Sequence, residues 1–175
     1  AKAVFPSGKI KIFEQAVRTP TVTILAIDNK GRLLLNREYR LKQKKYLWRL
    51  PAGRVDKEKS PIKAAQRELQ EETGFKAKKI KLFHASESSQ SLDWKKYSYI
   101  ATGLMPARLE GDEDEDIKVV PVPIAKAFKM AVEGEIKNEN MAYLIMKLYF
   151  LRNDGRTKKA GRSKLDNFKL KHYHL

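Results

Sequence analysis

The sequence predicts a single mixed α/β domain in which helices and strands pack in layers. Strand-like runs of β-branched and apolar residues lie on both sides of one helical segment, and two further helical segments come late in the chain. A length of 175 residues is typical of one domain. Hydrophobic residues make up 42% of the chain, which is enough for a core and excludes a disordered protein.

The first predicted strand is Thr21–Ile27, a β-branched run that ends at the turn sequence Asp28–Gly31. Leu33–Leu35 resumes the apolar pattern directly after the turn, so we expect these two strands to form a hairpin. The remaining predicted strands are Leu47–Leu50, Ile80–His84, Tyr97–Thr102 and Ile117–Val122.

The central helix is predicted to begin at Pro61, because Ser60 is a favourable N-cap and proline fits the first helical position. Gly74 ends this helix, since glycine readily adopts the left-handed conformation that follows many helices. Two later helices are predicted over Ala125–Val132 and Asn140–Leu151.

The charge of the chain is strongly positive and unevenly placed. Lys and Arg number 37 against 21 Asp and Glu, which gives a net charge of +16. Eight basic and two acidic side chains place +6 of this charge in residues 152–175. We therefore divide the chain into a domain, residues 1–151, and a basic C-terminal extension, residues 152–175, whose apolar side chains could pack on the domain. A positive field attracts polyanions such as nucleic acid, and also small phosphorylated substrates.

Several classes of protein are excluded by what the sequence lacks. Cysteine is absent, which removes disulfides, zinc–thiolate sites and cysteine nucleophiles, and only three histidines occur. A divalent metal would therefore need oxygen ligands, which suits Mg²⁺ or Mn²⁺. No apolar run is long enough to span a membrane, and no secretory signal is visible, so we expect a cytoplasmic protein without a membrane partner.

Three carboxylates on the central helix form the strongest chemical signal. Glu68, Glu71 and Glu72 have i, i+3 and i+4 spacing, so they share one helix face and repel one another. A divalent cation would turn that repulsion into binding energy, because hard cations take carboxylate oxygens. The alternative is an ordinary solvated acidic face. Gly53, in the turn before the helix, favours the site, because it lets a phosphate approach the backbone closely.

The segment from Arg67 to Phe75, Arg-Glu-Leu-x-Glu-Glu-x-Gly-Phe, follows Gly53 by fourteen residues and closely resembles the Nudix box. The family pattern is Gly-x5-Glu-x7-Arg-Glu-U-x-Glu-Glu-x-Gly-U, where U is apolar. The resemblance implies the Nudix fold, a mixed β-sheet layered between helices as an α/β/α sandwich, and hydrolysis of a nucleoside diphosphate linked to another group. The chain departs from the pattern at Lys59, where the family has a Glu that braces the box arginine. We expect Glu58 to form a structural brace with Arg67 instead.

The resemblance extends to the branch of the family that hydrolyses ADP-ribose and nucleoside diphosphate sugars. The segments that carry it are Arg37–Arg40, Leu50–Asp56, Glu113–Ile117 and Gly134–Asn138. It implies a homodimer and a small nucleotide-linked diphosphate substrate. Two departures leave strict preference for ADP-ribose open: residues 86–93 lack the branch's proline, and Arg49 stands where the branch usually has Glu.

The resemblance also assigns roles to individual residues. It implies that Mg²⁺, or Mn²⁺, is held by Glu68, Glu71, Glu72 and the carbonyl of Ala52, with Glu71 and Glu72 also counted as catalytic. Glu115 is the expected base that orients or deprotonates water, with Glu113 as second choice. The expected substrate-binding residues are Glu38, Tyr39, Arg40 and Arg54.

Three functions follow as alternatives. The strand and loop motifs favour metal-dependent hydrolysis of ADP-ribose or nucleoside diphosphate sugars to a nucleoside monophosphate and a sugar phosphate. The net charge of +16 favours the same chemistry on RNA 5′ ends or other nucleotides, because neutralised phosphates drive RNA affinity. The change at Lys59 is the one feature that favours a non-catalytic binding module. We expect nucleic acid to be the less favoured partner.

Overall fold

The computed structural model describes residues 1–88, 91–110 and 116–159, with side chains described as far as residue 153. Its strands are β1 (Lys2–Val4), β2 (Ile10–Ile12), β3 (Ala16–Val17), β4 (Thr21–Ala26), β5 (Arg32–Arg40), β6 (Lys45–Arg49), β7 (Ala52–Arg54), β8 (Phe75–Glu87), β9 (Leu92–Asp93), β10 (Lys95–Pro106) and β11 (Ile117–Pro123). Its helices are α1 (Pro61–Thr73), α2 (Ile124–Val132) and α3 (Glu139–Lys159).

Two sheets form the centre of the domain. The first has the strand order β7-β4-β10-β8 and is mixed, because β10 runs parallel to β4 while the other pairs are antiparallel. The second is antiparallel, with the order β11-β5-β6. Two small pairs, β1 with β2 and β3 with β9, complete the strands of the described residues.

The predicted hairpin between the first two core strands is wrong, although its turn is correct. The carboxylate of Asp28 accepts hydrogen bonds from the backbone of Lys30 at 2.9 Å and of Arg32 at 2.8 Å. Beyond this turn, β4 and β5 meet only at the bridge between Ile27 and Leu33 and then enter different sheets. The reason is that β4 lies between β7 and β10, so both of its edges are already paired.

The strands lie between helices, as the predicted α/β/α sandwich requires. Successive side chains of a strand point to opposite faces. Val22 and Ile24 of β4 accordingly pack in one apolar cluster with Ala65 and Leu69 of α1. Leu25 packs in a second cluster, formed with residues of α2 and α3. The fold class predicted from the sequence is therefore confirmed.

The central helix has the predicted limits. Ser60 is extended and makes no side-chain cap, but its carbonyl accepts bonds from the amides of Lys63 and Ala64. Gly74 ends α1 with a φ of 77°, the left-handed conformation that favours glycine. Among the later helices, α3 continues beyond its predicted end at Leu151 to Lys159, so it crosses the proposed start of the basic extension.

The N-terminal strands β1 to β3 were not predicted from the sequence, and they expose apolar side chains. Val4, Ile10, Ile12 and Val17 are all exposed, and Ile12 has 82% of its surface accessible. None of the helices that the structure describes is both long enough and apolar enough to cross a bilayer.

Candidate active site

The site is built where α1 crosses the start of β7. Apolar residues of α1, Ala64, Ala65 and Leu69, are fully buried against the mixed sheet and fix the rotation of the helix. This rotation places Glu68 at the edge of the core, with 9% of its surface accessible, and turns the rest of the acidic face towards the β7 loop. Burial of a carboxylate is costly unless it is paired, so its partners decide what the site does.

Gly53 and Glu68 touch so closely that no side chain fits at position 53. A Cβ atom added to Gly53 would lie 2.0 Å from Cδ of Glu68 and 2.0 Å from its Oε1. The sequence predicts a close approach at Gly53, but it assigns that approach to a substrate. In the structure it is the carboxylate of α1 that lies against the glycine, so Gly53 leaves room for one of the proposed metal ligands.

Arg67 gathers the acidic side chains around one guanidinium. Its Nε is 2.8 Å from Oε1 of Glu58, its Nη2 is 2.8 Å from Oε1 of Glu68, and its Nη1 is 2.5 Å from Oε2 of Glu71. Nη2 also donates to the carbonyl of Arg54 at 3.1 Å, which ties the β7 strand to the helix. Burial opposes the charge of Arg67, but the carboxylates outweigh it and raise the pKa of the guanidinium.

Glu58 thus makes the contact with Arg67 that the sequence suggested for it. Its carboxylate is partly buried, whereas Lys59 is exposed. The acidic partner of Arg67 in this loop is therefore one position earlier in the chain than in the family pattern.

Glu72, the last of the three carboxylates, is held from the strand side. The side-chain amide of Asn36 on β5 donates to its Oε2 at 2.5 Å, and the backbone amide of Ala52 donates to the same oxygen at 3.2 Å. The structure therefore brings Ala52 and Glu72 together, two of the residues assigned to the metal. Asn36 was missed in the sequence, because it lies 36 residues away from Glu72, directly after the apolar run Leu33–Leu35.

Asn36, Glu38 and Arg40 are alternate residues of β5 and therefore lie on the same face of the strand, which we term its polar face. Glu38 is buried and forms ion pairs with Arg40 and with Nε of Arg49, the latter at 2.7 Å. Asn36 and Arg49 are directly opposite each other in the pairing of β5 with β6. Arg49 was noted in the sequence only as a departure from a family pattern, and that departure was the signal that could have identified it.

Two other predicted substrate-binding residues lie farther from this face. Tyr39 is exposed and points to the opposite side of β5 from Glu38, where its ring meets that of Tyr46 edge-on at 5.2 Å. The side chain of Arg54 is exposed on β7, while its carbonyl is engaged by Arg67.

The acidic loop ends beside the same strands. Glu113 and Glu115 lie outside the described residues, but Asp116 accepts a hydrogen bond from the hydroxyl of Tyr46, which raises the pKa of that tyrosine. The backbone amide of Tyr39 donates to the carbonyl of Asp116 at 3.0 Å. The C-terminal end of the acidic segment is thus fixed to β5 and β6.

Comparison with known proteins agrees with this arrangement. The NUDIX domain profile matches residues 17–141, a range that contains Gly53, α1 and the polar face of β5. The chain belongs to the Nudix family. Within it, the chain is 30% identical over 146 residues to the ADP-ribose pyrophosphatase of Bacillus subtilis strain 168, covering 82% of this chain and 79% of that protein.

Two further comparisons show how widely this similarity extends. The methanol dehydrogenase activator of Bacillus methanolicus is 28% identical over 134 residues, which are 75% of this chain and 72% of that protein. The crystal structure of an ADP compounds hydrolase aligns with a TM-score of 0.72 and 26% identity, covering 89% of this chain and 85% of that one. The Nudix fold of this chain is therefore shown by sequence and by structure.

Nudix hydrolases use divalent metals, and the donors on α1 have the right chemistry for one. Carboxylate oxygens are the ligands that Mg²⁺ and Mn²⁺ prefer, and Gly53 leaves the space beside Glu68 clear of a Cβ. Within the described ranges, however, no three acidic or histidine side chains converge as a metal-binding group. Arg67 draws Glu68 and Glu71 to its own positive charge instead.

Proposed function

We propose that this Nudix enzyme hydrolyses the pyrophosphate bond of ADP-ribose or of nucleoside diphosphate sugars, giving a nucleoside monophosphate and a sugar phosphate. The observation that carries the proposal is the set of three carboxylates on α1 beside a glycine that has no room for a side chain. Arg67 holds Glu68 and Glu71, and donors from β5 and β7 hold Glu72. The relatives named ADP-ribose pyrophosphatase and ADP compounds hydrolase support the substrate class.

The proposed metal is Mg²⁺, with Mn²⁺ as a substitute. Glu68, Glu71, Glu72 and the carbonyl of Ala52 are the residues that would hold it. When bound, such a cation offsets the charge of the phosphates and lowers the pKa of coordinated water. The protein's own part is to present these oxygens in fixed positions, which the two amide donors to Glu72 and the absence of a Cβ at Gly53 both favour.

Glu115 is the proposed base that orients or deprotonates the attacking water, and Glu113 is the second choice. The support for this assignment is the attachment of Asp116 to Tyr39 and Tyr46, which brings the acidic segment to the outer end of the polar face of β5.

The proposed substrate contacts are Arg40, Arg54 and Tyr39, with Glu38 acting through the arginines that it holds. A guanidinium can bind a phosphate through two parallel hydrogen bonds. Arg40 has 43% of its side chain accessible and is anchored by Glu38, so it combines exposure with a fixed position. Arg49 shares the same anchor and joins this group.

We also propose that the protein forms a homodimer and that it is cytoplasmic, the latter from the sequence alone. The apolar side chains exposed on β1 to β3 support the dimer. Val4 and Ile10 are paired across β1 and β2, and exposed apolar patches commonly mark contacts with a partner. Light scattering coupled to gel filtration measures the mass, and a monomer at micromolar concentration would contradict this part of the proposal.

The test of the activity is a turnover panel with Mg²⁺ on ADP-ribose, several nucleotide sugars, diadenosine polyphosphates and 5′-triphosphate RNA. We expect the highest kcat/KM on ADP-ribose or a nucleotide sugar, and a loss of about 10²-fold or more in Glu72→Gln. Glu133→Gln, which removes an exposed carboxylate at the C-terminal end of α2, is the control and should keep the wild-type rate. Preference for RNA would favour the alternative substrate, and no turnover at all would favour a binding module.

A further inference from the structure

Asn36 is a polar residue in a position that would suit an aliphatic one. It follows Leu33, Leu34 and Leu35 on β5, and none of its surface is accessible to solvent. Burial of an amide costs free energy unless both its donor and its acceptor find partners. A leucine would fill such a site without that cost, so the partners of Asn36 indicate what the amide contributes.

The donor end of the amide has one partner, and it belongs to the proposed metal site. Nδ2 of Asn36 donates to Oε2 of Glu72 at 2.5 Å. The backbone amide of Ala52 donates to that same oxygen at 3.2 Å. Donors from β5 and β7 therefore meet on one carboxylate of α1 and restrict its rotation.

The acceptor end of the amide contributes nothing comparable. Oδ1 of Asn36 is buried and has no hydrogen-bond partner in the described part of the chain. If Asn36 served only to stabilise the fold, an amide with half of its bonding capacity unused would be a poor choice. Residues that break a local rule of stability in this way are typically found at functional sites.

The chemistry of the donors also separates Glu72 from its neighbours on the helix. Glu68 and Glu71 are drawn to the guanidinium of Arg67, which offsets their negative charge. The amides of Asn36 and Ala52 hold the Glu72 carboxylate from the strand side instead. A ligand for a cation needs a defined position, which these two donors supply.

We propose that Asn36 is a positioning residue that holds the Glu72 carboxylate in the orientation required to bind the divalent metal. This inference rests on the proposed function of the α1 carboxylates. Asn36 touches neither the metal nor the substrate; it acts through Glu72. Its loss should therefore alter metal binding more than folding.

The experiment compares wild type with Asn36→Leu and Asn36→Asp. Mn²⁺ affinity is measured by isothermal titration, the melting temperature is measured with and without Mn²⁺, and turnover is measured across a Mn²⁺ series. Asn138→Ala is the matched control, because Oδ1 of Asn138 accepts a hydrogen bond from the backbone amide of Met141 at 3.0 Å and so caps the start of α3.

Asn36→Leu should bind Mn²⁺ about tenfold or more weakly than wild type, the usual scale for losing a partner of a metal ligand, while its melting temperature without Mn²⁺ stays equal or rises. Its turnover should need correspondingly more Mn²⁺. Asn36→Asp places a second carboxylate against Glu72, so Mn²⁺ should raise its melting temperature more than that of wild type. Asn138→Ala should melt earlier and bind Mn²⁺ normally.

Wild-type Mn²⁺ affinity in Asn36→Leu, combined with an earlier melting transition, would overturn the inference and make Asn36 a structural residue. If Asn36→Leu does not fold, an equal response of Asn36→Asp and wild type to Mn²⁺ would overturn it instead. Failure of the proposed function gives a different result, because wild type itself would then neither bind Mn²⁺ nor hydrolyse any substrate in the panel.

Discussion

Arg67 and Glu58 are joined by an ion pair of 2.8 Å between Nε and Oε1, across nine positions of the chain. Both side chains are largely buried, with 13% of Arg67 and 22% of Glu58 accessible. The Nudix pattern has its glutamate at the next position, which Lys59 occupies here. The extended backbone at Ser60 and the loop before it let the earlier carboxylate reach the guanidinium, so Arg67 keeps an acidic partner from this loop despite the substitution at position 59.

Glu58→Ala should lower both the melting temperature and the turnover more than Lys59→Ala does. Removing the carboxylate leaves part of the Arg67 charge buried without its partner, and hydrogen bonds to charged groups contribute about 1.5–3 kcal/mol. Lys59 is exposed, so Lys59→Ala is the matched control and should change stability by less than about 0.5 kcal/mol.

Lys59→Glu should be neutral or stabilising by at most about 1 kcal/mol, since Arg67 already has its acidic partner. Thermal unfolding and turnover at one Mg²⁺ concentration measure all three variants. A Lys59→Ala variant clearly worse than Glu58→Ala would contradict the assignment of the brace and would point to contact between Lys59 and a substrate phosphate.

Gly53→Ala should damage the metal site through sterics alone. The added Cβ would lie 2.0 Å from the carboxylate carbon of Glu68, so the carboxylate must move by more than an ångström, and displacements of this size can cost about 10²-fold in rate. We expect weaker Mn²⁺ binding and lower kcat in this variant.

Gly8→Ala is the contrasting control for Gly53→Ala. Gly8 has a φ of +82° and no atom within 4 Å of an added Cβ, so its replacement causes backbone strain without any steric contact. It should lower the melting temperature slightly and leave Mn²⁺ affinity unchanged. Equal Mn²⁺ affinity in Gly53→Ala and wild type would show that Glu68 is not a metal ligand.

The parts of this molecule that could be predicted from the sequence are those set by local spacing. The limits of α1 follow from Ser60, Pro61 and Gly74, and the shared face of its carboxylates follows from the helical period. The layered fold follows from the order of strands and helices.

Contacts between distant strands could not be predicted in this way. The pattern of β4 shows that it is a buried strand, but nothing local reveals that β7 and β10 occupy both of its edges. For the same reason the sequence shows Asn36 only as a polar residue after an apolar run, and its contact with Glu72 appears only in the structure. The sequence likewise shows Arg49 only as a departure from the family pattern, and its ion pair with Glu38 appears only in the structure.

Arg49→Glu should destabilise the protein, and Glu38→Gln should relieve that effect. The single variant sets two carboxylates where Nε of Arg49 now lies 2.7 Å from Glu38, and like charges this close repel. The double variant Glu38→Gln with Arg49→Glu removes the repulsion and places at position 49 the Glu that is usual in this Nudix branch. We expect a coupling energy of about 0.5–3 kcal/mol from the double-mutant cycle in thermal or urea unfolding.

The same double variant tests substrate preference. Loss of the Arg49 charge should raise KM more for substrates that carry more phosphates than ADP-ribose than for ADP-ribose itself. The reason is that a guanidinium binds phosphate oxygens and favours added negative charge. Arg37→Gln makes the same net charge change as the double variant, a loss of one positive charge, on the opposite face of β5 and is the control. If Arg37→Gln and the double variant change KM equally, the effect comes from net charge and Arg49 has no specific role.

Truncation of the basic extension should separate its contribution to folding from its contribution to polyanion binding, provided that the truncated chain keeps the whole of α3. The helix continues to Lys159, and its aromatic residues pack on α2, where the rings of Phe128 and Tyr149 stack at 4.2 Å. A chain that ends at Leu151 loses the last turns of this helix and leaves its final carbonyls without a helical cap. We therefore expect it to melt earlier than a chain that ends at Lys159.

The chain that ends at Lys159 should keep the wild-type melting temperature and the wild-type kcat/KM on the best small substrate, because the described contacts of the site all lie before its end. It loses four basic residues and one acidic residue, so its affinity for RNA should fall and the salt dependence of that affinity should become shallower, as expected when fewer phosphates are neutralised. Fluorescence anisotropy over a salt series measures this slope. A large drop in melting temperature for the chain ending at Lys159 would show that residues 160–175 belong to the fold, and an unchanged slope would show that the extension does not bind the polyanion.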